Sequence, residues 1–434
     1  MSQRLWELDA LRGLMLVLMT VTHLPTRFSD PLGQPFGFVS AAEGFVMLSG
    51  VMAGLVYTAK HARDRSRGAG EGSDGLMRGA FLKRALKLYA IQAALLLLLF
   101  TGVALLGVVN DQKALLGMID FYLREPLTAV AASLLLLHNP PLMDILPMYI
   151  VFMLVSPLVL LHGLQHGWRA ILGASVALWL GAQFGLTRAI HEAVVAATGL
   201  PVPFEQVGSF DLLAWQFLWL MGLWLGSQQS AKDAPPITFP PWAVRVAIVV
   251  GAMGFVWRHA VGQTPFGDDA GLNMLFDKWR LGPLRVIDFF ALMLLAIHFA
   301  PWLTRRLPRL RALETLGAAS LPVFVAHLVL AMLLLAWNGD TRDQRPWAVD
   351  TALLAACFAA LYGVAWVSGW LDRRTAALRE RGRERWRQRS QPLSDPGPGV
   401  RARASSRSAA SAADPRSPGP PPRPAPPARS DALR

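Results

Sequence analysis

Long apolar runs alternate with short polar segments over most of the chain. They fall at about residues 10–27, 36–59, 86–109, 127–138, 145–162, 169–187, 211–228, 242–260, 284–300, 316–337 and 349–371. A helix needs about 20 largely apolar residues to cross a bilayer core. Most of the runs meet or approach that length. The exception is 127–138, which stops at "HNPP" and reads as a short or re-entrant piece. The pattern predicts an all-α, polytopic integral membrane domain over residues 1–372.

Charge then orders the spans. The basic segments are 60–87, 301–312 and everything after Leu371, and positive loops stay cytoplasmic. If 127–138 does not cross, about ten transmembrane helices result and both termini lie inside with every basic loop. Composition agrees: 53% of the 434 residues are hydrophobic and only 16% are charged, against roughly 25% charged in soluble domains. The net charge of +13 does not mark a nucleic-acid face. Residues 373–434 hold fifteen Arg against five Asp or Glu, a net of +10. This Pro-, Ser-, Ala- and Arg-rich stretch is expected to be a disordered cytoplasmic tail that meets anionic lipid. The single cysteine, Cys357, builds neither a disulfide nor a thiolate site, and no His-rich spacing suggests a metal. No small-residue cleavage site follows the first apolar run, so it is expected to remain as a helix.

Ionisable residues inside such runs are costly and point to function. The first run, "LDALRGLMLVLMTVTHL", carries Arg12 and His23. Eleven positions at 100° each place both on one helix face, about 16 Å apart along the axis. Glu43 opens the second run, and His327 sits in "LGAASLPVFVAHLV" at a depth comparable to that of His23. Each has a plainer reading: a snorkelling anchor for Arg12, a helix–helix hydrogen bond for His23, a water-facing carboxylate for Glu43. Ser49, Gly50 and Gly54 read as close-packing positions.

Several blocks together carry a family resemblance: "LDALRG" followed by His23, "EGFVMLSGV", "KRALKLY", and Gly317, Ser320 and His327 in the late run. They resemble the type-3 membrane acyltransferase superfamily. "HNPPLMDILPMYIVF", "LAWQFLWLMGLWLG" and "DKWRLGPLRVIDFFAL" look like its OpgC branch, over residues 8 to about 330. "KRALKLY" departs from the superfamily pattern by lacking its Pro and by carrying Lys87 in place of an Arg. The resemblance implies an O-acyltransferase of the bacterial inner membrane. Its partners would be a cytoplasmic acyl-coenzyme A donor, with succinyl-coenzyme A expected, and a periplasmic glucan acceptor, and no cofactor would be permanently bound.

On that reading His23 is the general base or a transient acyl carrier, Glu43 orients it, and His327 stabilises the oxyanion or passes the proton. Arg12, Arg84 and Lys87 hold the coenzyme A phosphates. Lys278, Arg280 and Arg285 supply a cation for the distal carboxylate of the donor, with Arg285 at the mouth of its span, unless these charges sit at the interface or pair with Asp277 and Asp288. His138 and Asp144 contact glucan or brace the short 127–138 piece. Trp257, Trp279, Trp337 and Trp347 are expected in an interfacial aromatic belt, and His61, His162, His166 and His191 in loops. The competing readings are acetyl or other acyl transfer to a different extracytoplasmic glycan, and a glycan transporter or flippase. Against the second stands the lack of a visible inverted repeat.

Overall fold

The computed structural model describes residues 6–70, 72–231, 233–340 and 344–390, and among these the chain is all-helical. The longer helices are α1 (Trp6–His23), α2 (Ala41–Asp64), α3 (Gly72–Leu98), α4 (Pro126–Leu134), α5 (Ile145–His166), α6 (Arg169–Gln183) and α7 (Leu186–Thr198). They continue with α8 (Leu212–Gln228), α9 (Pro241–Val261), α10 (Pro283–Arg306), α11 (Arg311–Ala318), α12 (Ser320–Asn338) and α13 (Trp347–Ser390). A π-helical turn at Leu99–Val103 extends α3 to Val109.

Seven helices are long and apolar enough to cross a membrane, or eight if α6 and α7, bent by 81°, count as one span. This falls short of the ten expected from the apolar runs. α1 carries Glu7, Asp9 and Arg12 within its 18 residues, and α8 is only 17 residues long. The break between α6 and α7 falls at Gly185, whose φ of 85° few other residues adopt. The 127–138 piece forms the nine-residue α4, about 13 Å long and too short to span.

The core is dense where small residues let backbones meet. Gly50 and Gly54 of α2 face Gly222 and Gly226 of α8 so closely that a methyl group on any of them would strike a carbonyl of the partner helix. Gly50 and Gly54 are thus packing positions, as their sequence context suggests. Trp215 and Trp219 of α8 are completely enclosed beside this seam. α2 begins with a capping box: Ser40 accepts from the Ala42 amide while Glu43 accepts from the Ser40 amide.

The chain divides into two compact units, Met1–Asp372 and Arg373–Arg434. Disorder does not begin at residue 373, because α13 is helical to Ser390, a stretch rich in helix-favouring Arg, Glu, Ala and Gln with no proline before Pro392. The Pro-rich remainder lies outside the described residues. His61, His162, His166 and His191 are helical, not in loops. His61 is buried against Asp74, 2.7 Å away, and Ser73.

Candidate active site

Two glycines set the geometry of α1. A methyl on Gly13 would collide with the Leu313 carbonyl, and one on Gly317 with that of Asp9, so α1 and α11 lie backbone to backbone. This crossing delivers α12, directly after α11, to the same face of α1. Two side-chain contacts follow. The Arg12 guanidinium donates to Ser320 Oγ, and His23 Nδ1 lies 3.0 Å from His327 Nε2. Arg12 and His23 are about 16 Å apart along α1, whereas Ser320 and His327 are about 10 Å apart along α12. The reach of the long Arg12 side chain takes up the difference.

His327 is fully enclosed, while His23 keeps partial exposure. Their rings stack at 5.3 Å with planes 15° apart. Nδ1 of His327 lies near the Val323 and Phe324 carbonyls of its own helix, without ordinary hydrogen-bond geometry.

A cavity of about 200 Å³ runs beside this pair. Arg12, Arg84, Tyr57 and Ser320 line one part of it, and Phe45, Tyr149 and Phe324 line another. Phe45 and Tyr57 are twelve positions apart on α2, which gives a corridor about 18 Å long. Phe324 stacks on Phe45 at 5.9 Å and meets His327 edge-on at 4.9 Å. Arg12 and Arg84 therefore share a cavity; His23 and His327 do not line it, and Phe324 stands between its wall and His327. Lys87 does not join them: it is exposed on α3 and outside the cavity lining. Ser49, expected only to pack, lines the corridor.

Glu43 does not orient His23. It is 0% exposed, with Oε1 2.5 Å from Arg285 Nε and Oε2 accepting from the Ser40 hydroxyl at 2.6 Å and amide at 3.1 Å. The orienting contact to His23 comes from His327 instead. Arg285 is 2% exposed and neutralised by Glu43, so its expected service to a free carboxylate is replaced by a structural one. Asp288 accepts instead from the Phe38 amide. The sequence Ser40-Ala41-Ala42-Glu43 is the signal that Glu43 would be engaged locally.

A second cavity, about 500 Å³, is lined by Asn139, Asp144, Asp211, Asp277, Trp279 and Arg280 among others. α5 separates it from the corridor: Ile145, Leu146 and Tyr149 face the first, Pro147, Met148 and Val151 the second. Burial pushes the Asp144 carboxyl above its usual range, against the pull of the Ser209 amide 3.0 Å away. Burial likewise raises Asp211, which caps α8. Lys278, between two lining residues, sits over the Trp279 ring at 4.5 Å and takes part in no ion pair among the described residues. Burial holds its ammonium below the usual lysine range, while Glu43 and Asp144 oppose that shift and Arg285 adds to it. His23 feels its charge as well. His138 lines neither cavity. It is 2% exposed, with Nδ1 donating to the Gln206 carbonyl at 2.8 Å, and so braces the loop after α4 instead of facing substrate.

Among the described residues no cluster of three or more His, Cys, Asp or Glu is placed to hold a metal ion. A family model described as OpgC protein matches residues 4–373. The chain belongs to the OpgC family. The match covers the whole helical membrane region, including every residue placed above, and stops where the second unit begins. No curated protein and no solved structure matches the chain. Within this OpgC-family chain, the side chains brought together are Arg12 with Arg84, His23 with His327, and Asp144 with Arg280. Glu43 and Arg285 pair with each other, and Lys87 and His138 stand apart.

Proposed function

We propose that the chain is a membrane-bound O-acyltransferase that moves an acyl group, expected to be succinyl, from coenzyme A to hydroxyls of a periplasmic glucan. Family membership supports glucan modification. The observation that carries the reaction type is the His23–His327 contact behind Phe324, in the wall of a corridor that also presents Arg12 and Arg84.

In this reading the Arg12 end of α1 faces the cytoplasm of a bacterial inner membrane, with both termini inside, as the basic loops favour. The guanidinium groups of Arg12 and Arg84 hold donor phosphates, and the pantetheine arm lies along the corridor. Because the Arg12 head reaches towards Ser320, the distance to the histidines is nearer 10 Å than 16 Å.

For His23 to act through Nε2, its Nδ1–H donates to His327 Nε2, which fixes the tautomer as an orienting partner does in a triad. His23 Nε2 takes the proton of the acceptor hydroxyl as its oxygen bonds to the thioester carbonyl carbon. The tetrahedral adduct then expels the sulfur, the C–S bond breaks, and His23 returns the proton to the thiolate. The products are an O-acyl ester and free coenzyme A. A general base contributes about 10²–10⁴-fold.

The test is acyl transfer in membrane vesicles fed isotopically labelled succinyl-coenzyme A, with glucan products read by mass spectrometry. The wild-type chain should yield labelled succinyl esters, and His23→Ala, inserted at normal levels, should not. Glucan uptake into proteoliposomes without ester formation would replace this reading with transport.

A further inference from the structure

The second cavity has a chemical character that its family membership does not supply. Its volume, about 500 Å³, lies within the range of small-molecule sites, about 300–1,000 Å³. Three carboxylates, of Asp144, Asp211 and Asp277, line it against one guanidinium, that of Arg280. The Lys278 ammonium lies over one face of Trp279 at 4.5 Å, yet carboxylates still outnumber cations here, which disfavours the nucleotide end of an acyl donor or an anionic lipid headgroup. It does suit a ligand rich in hydroxyl donors.

The polar groups are held in place before any ligand arrives. Asp211 accepts from the Thr187 hydroxyl at 2.7 Å and the Ala214 amide at 3.1 Å, Asp277 from the Arg280 amide at 2.7 Å, and Asp144 from the Ser209 amide. Asn139 is 8% exposed, gives its NH₂ to the Val207 carbonyl at 2.5 Å, and leaves Oδ1 without a partner. Such an acceptor, buried at a cavity wall, is costly unless something donates to it.

Trp279 supplies an apolar platform on the same wall. Its side chain is 40% exposed, while its carbonyl accepts from the Asp211 amide at 3.0 Å and the Trp215 indole at 2.9 Å. Phe210 meets the indole at right angles, 5.4 Å away. An interfacial belt tryptophan faces lipid, as the position of Trp337, 67% exposed and outside both cavities, permits. Trp279 faces carboxylates instead. A rigid aromatic face beside convergent carboxylate and amide acceptors matches a sugar ring, with its apolar C–H face and its rim of hydroxyls.

We infer that this cavity is the acceptor subsite and that it takes a short stretch of uncharged glycan, one sugar ring stacked on the face of Trp279 that Lys278 does not cover and hydroxyls donating to Asp144, Asp211 and Asp277. That the bound glycan is the acceptor rests on the acyltransferase reading. Binding itself needs no donor.

The experiment is calorimetric titration of the purified full chain in nanodiscs with α-linked and β-linked glucose pentasaccharides, without acyl-coenzyme A, alongside a separate titration with coenzyme A. Trp279→Ala and Asp211→Asn should each weaken pentasaccharide binding about tenfold. Trp279→Phe, which keeps an aromatic face, should retain most of it, and coenzyme A binding should not change in any variant. Asn caps a helix as well as Asp, so Asp211→Asn leaves α8 intact. Wild-type pentasaccharide affinity in both Trp279→Ala and Asp211→Asn would overturn the inference, as would a wild-type chain that binds coenzyme A but neither pentasaccharide. If the sugar binds at these residues while no ester ever forms, the subsite stands and the acyltransferase reading falls.

Discussion

Nδ1 of His23 and Nε2 of His327 meet at 3.0 Å from helices whose residues are 304 positions apart in sequence. Two neutral imidazoles can share such a contact only if one nitrogen carries the hydrogen and the other does not. The contact therefore couples the two tautomers: where His23 Nδ1 carries the hydrogen, His327 Nε2 accepts and His23 Nε2 is left to take a proton.

That coupling separates the two histidines by variant. His23→Ala should lower acyl transfer by about 10²–10⁴-fold, the usual worth of a general base. His327→Ala should cost less, and His327→Gln less again, since a glutamine carbonyl still accepts from Nδ1–H. Equal losses in His327→Ala and His327→Gln would remove the orienting role from His327. Initial rates at saturating donor, with membrane levels checked by immunoblot, make the comparison.

The Glu43–Arg285 pair is enclosed at 0% and 2% exposure. Removing one partner of a buried pair strands the other charge and costs about 3–5 kcal/mol. Glu43→Gln and Arg285→Gln should each lower the thermal midpoint in detergent, and Glu43→Leu with Arg285→Met should recover much of the loss. A double variant as unstable as either single variant would mean that the pair is not the source of the effect.

The membrane class and the ionisable residues within the spans are legible in the sequence. Arg12, His23 and His327 stand out because charge within apolar runs has few other reasons to exist, and the membrane class follows from run length alone. The partner of Glu43 was not legible, because Arg285 is 242 positions away and nothing local announces it. The local cap at Ser40 was legible in principle and competes directly with a role at His23. Length and composition alone do not reach the expected ten spans, because α1 carries three charged residues and α8 is 17 residues long. In the sequence Trp279 reads as a belt tryptophan, because composition cannot tell a lipid-facing indole from one lining a cavity.

Gly317 and Gly13 should matter as much to transfer as the charged residues do, though neither touches substrate. A methyl on Gly317 meets the Asp9 carbonyl, so Gly317→Ala must push α11 from α1, an overpacking cost of about 1–3 kcal/mol. The same displacement separates Ser320 from Arg12 and His327 from His23. The expected result is a protein that inserts but transfers acyl groups far more slowly, with a lower thermal midpoint. Gly363, beside which nothing lies within 4 Å, is the matched control, and Gly363→Ala should behave as wild type in both measurements.

If the donor is succinyl-coenzyme A, as proposed, Lys278 is the cation we expect to read its distal carboxylate. Arg285 is neutralised by Glu43, and Arg280 lies in the wall of the second cavity, whereas Lys278 forms no ion pair among the described residues and its charge reaches His23. The groups that bear on it are His23, Glu43, Asp144 and Arg285, and burial holds its ammonium below the usual lysine range. A lysine with a lowered pKa is charged below that value and loses its charge as pH rises through it. Preference for succinyl over acetyl donor should therefore fall with rising pH, sooner than an ordinary lysine would allow, while acetyl transfer itself stays level over the same interval. Lys278→Met should abolish the preference at every pH by raising the KM for the succinyl donor. Lys278→Arg should retain the preference and remove its pH dependence, because guanidinium stays charged throughout. Competition assays with mixed labelled donors at several pH values read all three outcomes, and a succinyl preference unchanged in Lys278→Met would assign the carboxylate to another group.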